Sequence, residues 1–198
     1  MESTLVAEHH LPALYMVWPR SAITVPLPTI VPDGYALSAY KDGDTQALSA
    51  LFAQEGWNVD DAEWRDYMER VLPNGLFILS HTASNQVVGT AGAIHNPRGG
   101  RYYFPFGGAL AYLVVHPEHR GRHLGTMLAA LVVQRLRAAE YEQIWVGVQG
   151  FRLPAIKTYL KLGFVPFLHQ AGLAERWQRI CEQIGWLYTP DAWPSSLR

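Results

Sequence analysis

Two periods of apolar residues run along this chain. Residues 124–139 carry the helical one: Leu124, Leu128, Leu131, Val132, Arg135 and Leu136 follow a spacing of three and four, with Val132 and Leu136 on the inner face. Residues 35–40, 76–81, 86–95, 109–115, 144–148 and 164–169 read as β-strands, short and rich in β-branched or aromatic side chains. Ala83-Ser84-Asn85 turns the second strand into the third. Between the first two strands, Asp44 or Thr45 can cap a helix running through about Gln54. Asp60 or Asp61 caps another over 62–72, which Pro73-Asn74-Gly75 stops. Pro154 suits the first turn of a short helix that Gly163 ends. A last helical run reaches about Trp186. The order β-α-α-β-β-β-α-β-α-β predicts an α/β (α+β) fold, a mixed, mostly antiparallel sheet flanked by helices.

Residues 1–34 break the pattern. Val25-Pro26-Leu27-Pro28 and Val31-Pro32 forbid helix and remove donors, so the segment reads as an extended arm lying on the domain or on a partner subunit, or as a loosely attached tail. The domain itself spans 35–170, and 171–198 forms a C-terminal helix and tail packed on it. His9-His10 has no further ligand nearby and reads as surface polar residues.

Composition narrows the options. A chain of 198 residues, 49% hydrophobic, fits one domain with a sizeable core. A net charge of −1 argues against a general nucleic-acid binder. No apolar run approaches the ~20 residues of a membrane span, and residues 11–18 lack the basic flank of a signal peptide. Cys181 is the only cysteine, so no internal disulfide forms. A soluble, cytoplasmic protein is the expectation.

The chemistry concentrates at Val114-Val115-His116-Pro117-Glu118-His119-Arg120-Gly121-Arg122-His123-Leu124-Gly125-Thr126. A strand ends, a basic loop with two glycines follows, and a helix begins. The first N–H groups of a helix lack internal partners and sit at its positive end, which suits a phosphate. Arg120 and Arg122 add side-chain charge. No Gly-Lys-Ser/Thr is present, and neither is Gly-x-Gly-x-x-Gly with a later acidic residue, so nucleotide loops of those kinds are excluded. His116, His119 and His123 also permit a metal reading, but chelation would compete with the phosphate loop.

The loop matches Arg-x-x-Gly-x-Gly with His123 at the first glycine. It resembles the acetyl-CoA loop of the GCN5-related N-acetyltransferases. Residues 153–164, Leu-Pro-Ala-Ile-Lys-Thr-Tyr-Leu-Lys-Leu-Gly-Phe, resemble that family's Asn-x-x-Ala-x-x-x-Tyr-x-x-x-Gly-Phe block, with Arg152 where Asn is usual. Both blocks keep the family's order and spacing.

The resemblance implies an acetyl-CoA-dependent N-acetyltransferase acting directly on a primary amine. Leu113, Val114 and Val115 would hold the pantetheine arm and offer an oxyanion-type N–H. Arg120, Gly121, Arg122, His123, Leu124, Gly125 and Thr126 would hold the pyrophosphate. The strand at 144–148 would splay from the preceding one to admit CoA. Tyr159 matches the tyrosine that protonates the departing thiolate, and a phenol with pKa near 10 is a plausible acid in a dry site. The other reading has Tyr159 only packing on its neighbours. For the base, Glu118, His116, His95 and His81 stand beside a water chain. His123 must adopt a left-handed backbone to replace glycine. Arg152 loses an amide that bonds near the pantetheine and can meet a phosphate instead.

Those two departures sustain an alternative: a catalytically inactive module of the same fold that binds CoA or a partner. The acceptor stays open among small amines, aminoglycosides, amino acids, peptide N-termini and lysine. Trp57, Trp64, Tyr67, Tyr102, Tyr103 and Phe106 lean toward a small or partly apolar one, unless they are core aromatics. A homodimer is compatible, since family members are often dimers.

Overall fold

The computed structural model describes residues 11–24, 26–100 and 102–197; His9 and His10 lie outside them. Strand β1 (Leu14–Trp18) comes first, then β2 (Tyr35–Ala39), helices α1 (Thr45–Ala53) and α2 (Asp61–Arg70), and strands β3 (Val71–His81) and β4 (Gln86–His95). A two-stranded hairpin, β5 (Arg98–Gly99) and β6 (Tyr102–Tyr103), occupies the expected long loop. Then follow β7 (Gly107–Val115), α3 (Leu124–Ala138), β8 (Gln143–Val148), α4 (Leu153–Lys161), β9 (Val165–Pro166) and α5 (Leu173–Ile184). No helix among the described residues is long and apolar enough to cross a membrane.

The main sheet has the order β2-β3-β4-β7-β8-β1-β9. Among the described residues, only β7 and β8 run parallel; the other neighbours are antiparallel. Adjacent residues face opposite ways, as the pleat requires. Ile78, Trp145 and Val17 point to the face covered by α1 and α2, with Leu48, Leu51 and Phe52. Leu79, Val146 and Met16 point to the other face, with Leu128, Val132 and Leu136 of α3, Ile156 of α4 and Trp177 of α5.

Three expectations need correction. Within the expected N-terminal arm, Leu14–Trp18 forms a strand inside the sheet instead of lying on the domain. Strand β1 sits between β8 and β9, bracketed by Pro12 and Pro19. Leu14, Met16, Val17 and Trp18 are all buried, so no polar alternation marks the strand. Second, α2 ends at Arg70 and β3 starts at once. Pro73-Asn74-Gly75 is an irregularity inside that strand, with Asn74 at φ +55°. Third, the strand expected over 164–169 shrinks to Val165–Pro166, with Phe167 N adding one more bond to Tyr15 O at 3.0 Å.

The chain's ends are tied back. Arg176 Nη1 donates to Pro12 O at 2.8 Å, and Trp18 Nε1 donates to Leu162 O at 3.0 Å. Leu168 N donates to Pro194 O at 2.8 Å, and Trp193 reaches the α3–α5 core.

Candidate active site

Strand β7 builds the centre of the site by being irregular. Gly92 pairs with Ala111 and Thr90 with Val114, so Tyr112 and Leu113 together oppose Ala91. This is a β-bulge, with Tyr112 at φ +48°. Packing holds the strained residue: its ring lies 4.6 Å from Tyr67, 5.2 Å from Phe52 and 5.6 Å from Trp57. Glycine at 92 is required here, because a Cβ would fall 1.8 Å from the Tyr67 hydroxyl.

Strands β7 and β8 pair only from Gly107↔Gln143 to Leu110↔Val146. Beyond that point β7 continues to Val115 and β8 to Val148 without pairing. The expected splay is present, and the β8-facing polar groups of β7 lose their strand partner along it.

Past the open end lies the loop. Pro117–His119 makes one 3-10 turn, Gly121 takes φ +78°, and His123 takes φ +60° as the residue preceding α3. Met127 N is the first to close onto His123 O. Among the described residues, the N–H groups from Gly121 to Thr126 donate to no carbonyl, which leaves a row of donors at the positive end of α3. A cleft of about 500 Å³ opens over this row. Leu113, Val114, Val115, Arg120, Gly121, His123, Leu124, Gly125, Thr126 and Arg152 line it, joined by Glu55, His119, Lys157 and Lys161.

Arg122 is the expected cleft residue that does not line it; it is exposed and donates to Tyr35 Oη at 3.1 Å. Arg120 and Arg152 are both present, but neither is free. Arg120 donates to Val115 O at 3.0 Å and pairs with Glu55. Arg152 pairs with Glu55 at 3.2 Å and stacks 4.9 Å from the Trp57 ring. Glu55, just past α1, thus joins the loop wall to the α4 wall. It halves the net charge of the arginine pair, and a phosphate must compete with it.

His123 takes the left-handed backbone that glycine would supply, without closing the cleft. The strain is expected to cost about 1 kcal/mol net of glycine's greater chain entropy. His123→Gly should therefore raise the unfolding free energy by that amount, read as a higher urea midpoint at constant m-value, and leave affinity for acetyl-CoA equal or tighter; both are read on the purified chain.

A second cavity of about 630 Å³ adjoins the first and shares Leu113, Ala155 and Arg152 with it. Tyr159 lines it at 5% exposure, its ring edge-on to Phe164. Burial raises the Tyr159 pKa strongly, opposed in part by Arg152, so the phenol keeps its proton. Trp57, Tyr112, Trp145, Phe151 and Gln149 also face this space. Of the other aromatics, Tyr67 and Trp64 pack under the bulge, while Tyr103 and Phe106 are 59% and 72% exposed and line neither cavity.

None of the four base candidates reaches the second cavity. Glu118 is exposed on the loop turn. His95 bonds Tyr141 Oη at 3.1 Å, away from the gap. His81 bonds Ser84 Oγ at 3.0 Å, and the His116 ring accepts from Glu118 N. His81, His116 and His119 instead gather beside β2. Arg122 can only donate to Tyr35, so Tyr35 Oη gives its own proton to His119 Nδ1 at 3.0 Å. Burial, His81, Arg122 and His116 hold the His119 pKa low, consistent with a neutral ring. No three His, Cys, Asp or Glu side chains among the described residues are grouped to hold a metal ion.

These shifts set a stability profile. Tyr67 and Tyr159 are raised by burial above the ordinary phenol value of 10.0, so the fold retains protons that the unfolded chain loses there. That contribution is intact below pH 10 and declines above it. His119 is depressed below 6.5, so the unfolded chain takes up its proton first and stability declines as pH falls past that value. Thermal melts should show a plateau between these limits and losses on both sides.

Comparisons with known proteins agree with one another. The family model described as "Acetyltransferase (GNAT) family" matches residues 37–164. A mycothiol acetyltransferase of Nocardia farcinica is 29% identical over 158 residues, covering 74% of this chain and 51% of that protein. The chain spans about half the length of the curated relatives it matches. The tandem GNAT protein from the clavulanic acid biosynthesis pathway superposes with a TM-score of 0.59 at 23% identity, covering 79% of this chain and 51% of that one. The GCN5-related N-acetyltransferase of Sphaerobacter thermophilus gives 0.58 at 16% identity, covering 83% and 52%. Likeness at these identities speaks for the fold.

Proposed function

The chain belongs to the GNAT family of acetyltransferases, and from that premise we propose that it transfers the acetyl group of acetyl-CoA directly to the primary amine of a small acceptor. The observation that carries the reading is the split between β7 and β8, closed at one end by the phosphate-type loop and holding Tyr159 beside it. The donor row from Gly121 to Thr126 suits the pyrophosphate, with Arg120 and Arg152 exchanging Glu55 for phosphate oxygens. The pantetheine arm lies along Leu113–Val115, where β7 has polar groups to spare.

The amine nitrogen attacks the thioester carbon. The N–C bond forms as the C–S bond breaks, and the carbonyl oxygen draws on a backbone N–H of the bulge. Tyr159 gives its proton to the departing thiolate. No Asp, Glu, His or Lys among the described residues lines the acceptor cavity, so the amine's proton leaves to water.

The curated relatives are named mycothiol acetyltransferases, and the acceptor of those proteins is the first to assay. Thermal melting with acetyl-CoA, and with CoA as control, tests the reading. A ligand at a hundredfold excess over its Kd stabilises the native state by ~2.7 kcal/mol, so a clear rise in Tm is expected. No shift at millimolar acetyl-CoA would overturn the enzyme reading in favour of an interaction module.

A further inference from the structure

Gln149 follows β8 at the mouth of the gap and lines the acceptor cavity together with Tyr159. Its Oε1 is buried and meets no hydrogen-bond partner among the described residues. Folded proteins rarely retain a buried acceptor without a donor, and those that do often keep it for a ligand. An amide oxygen only accepts, so the missing partner is an N–H or O–H donor.

The cavity around it restricts what carries that donor. Trp57, Tyr112, Trp145 and Phe151 contribute aromatic surface, and Arg152 is the one charged side chain among the described lining residues. A body bearing several positive charges finds no counter-charge here; an apolar or aromatic one finds matching walls.

Building on the acetyltransferase reading above, we propose that Gln149 determines the acceptor: its Oε1 receives an N–H of a primary amine borne on an apolar or aromatic body without further positive charge. A neutral amine must aim its lone pair at the thioester carbon. Its two N–H bonds then remain to be held, and one bond to Oε1 fixes the nitrogen's orientation. In the transfer the amine's second proton passes to water, the thiolate takes the Tyr159 proton, and the phenolate regains one from solvent. The pantetheine amide is the other N–H donor that passes through the gap. Gln149 lines only the second cavity and not the loop cleft, which favours the amine.

The test uses the full chain, 2-phenylethylamine and spermidine as probe amines, and thiol release as the readout. The wild type should prefer 2-phenylethylamine by at least about tenfold in kcat/KM. Gln149→Met should raise its KM by at least about tenfold, keep the Kd for acetyl-CoA within about twofold, and leave the Tm unchanged or higher, because an unpaired buried oxygen is gone. Gln149→Glu, which keeps an acceptor oxygen, should stay nearer the wild-type KM. An unchanged KM in Gln149→Met, or a fall in its Tm, overturns the proposal. Parallel weakening of acetyl-CoA binding would assign Oε1 to the pantetheine, and a preference for spermidine would refute the acceptor class. A wild type that binds acetyl-CoA yet leaves 2-phenylethylamine untouched refutes this proposal alone; one that binds no acetyl-CoA fails at the preceding reading.

Discussion

Tyr159→Phe is expected to lower kcat by about 10²–10⁴ while the Kd for acetyl-CoA holds within about twofold. The phenol's oxygen has no protein hydrogen bond to lose among the described residues, so the fold should tolerate the change and Tm should barely move. Burial keeps Tyr159 protonated through the neutral range. The same dry surroundings raise the pKa of the departing thiol, so acid and leaving group stay matched even though both lie above their values in water. Stopped-turnover thiol release with saturating acetyl-CoA measures kcat, and titration calorimetry measures Kd. An unaltered kcat would remove Tyr159 from the mechanism, and a parallel loss of binding would make it a packing residue.

The parts of this site that a reader of the sequence can find are those encoded locally. The loop from Arg120 to Thr126 and the α4 segment are contiguous, and each carries its own turn and helix chemistry. Their structure follows the reading closely, down to the left-handed backbone at His123. The residues missed are those brought in from a distance. Glu55 lies 65 positions from Arg120 and 97 from Arg152, and nothing near it in sequence announces the pairing. Gln149 sits only three positions before Arg152, but its interest comes from a buried Oε1 with no partner among the described residues, which no pattern reveals.

His116 and Glu118 show the converse. His116 and Glu118 adjoin the loop in sequence, so they read as near the chemistry. The 3-10 turn at Pro117–His119 has the His116 ring accept from Glu118 N, and neither residue lines the cavity that holds Tyr159.

Strand β1 shows the same limit in the fold, and it sets the second large effect. Met16 is fully buried, pairs with Val146 of β8 on one side and Pro166 of β9 on the other, and packs with the α3–α5 core. Met16→Ala should cost about 2–5 kcal/mol, read as a lower urea midpoint at constant m-value. Such a loss is far beyond what a loosely attached tail would give, since surface substitutions usually stay within about ±0.5 kcal/mol. The consequence extends to the site. β8 forms one wall of the gap, and where it leaves β7 its remaining lateral support is β1, through Leu14↔Val148 and Tyr15↔Gly147. Weakening β1 should therefore loosen that wall, and Met16→Ala should raise the KM for the acceptor even at temperatures where the chain is still folded. A stability loss below about 0.5 kcal/mol would mean that the N-terminal segment does not hold the sheet together.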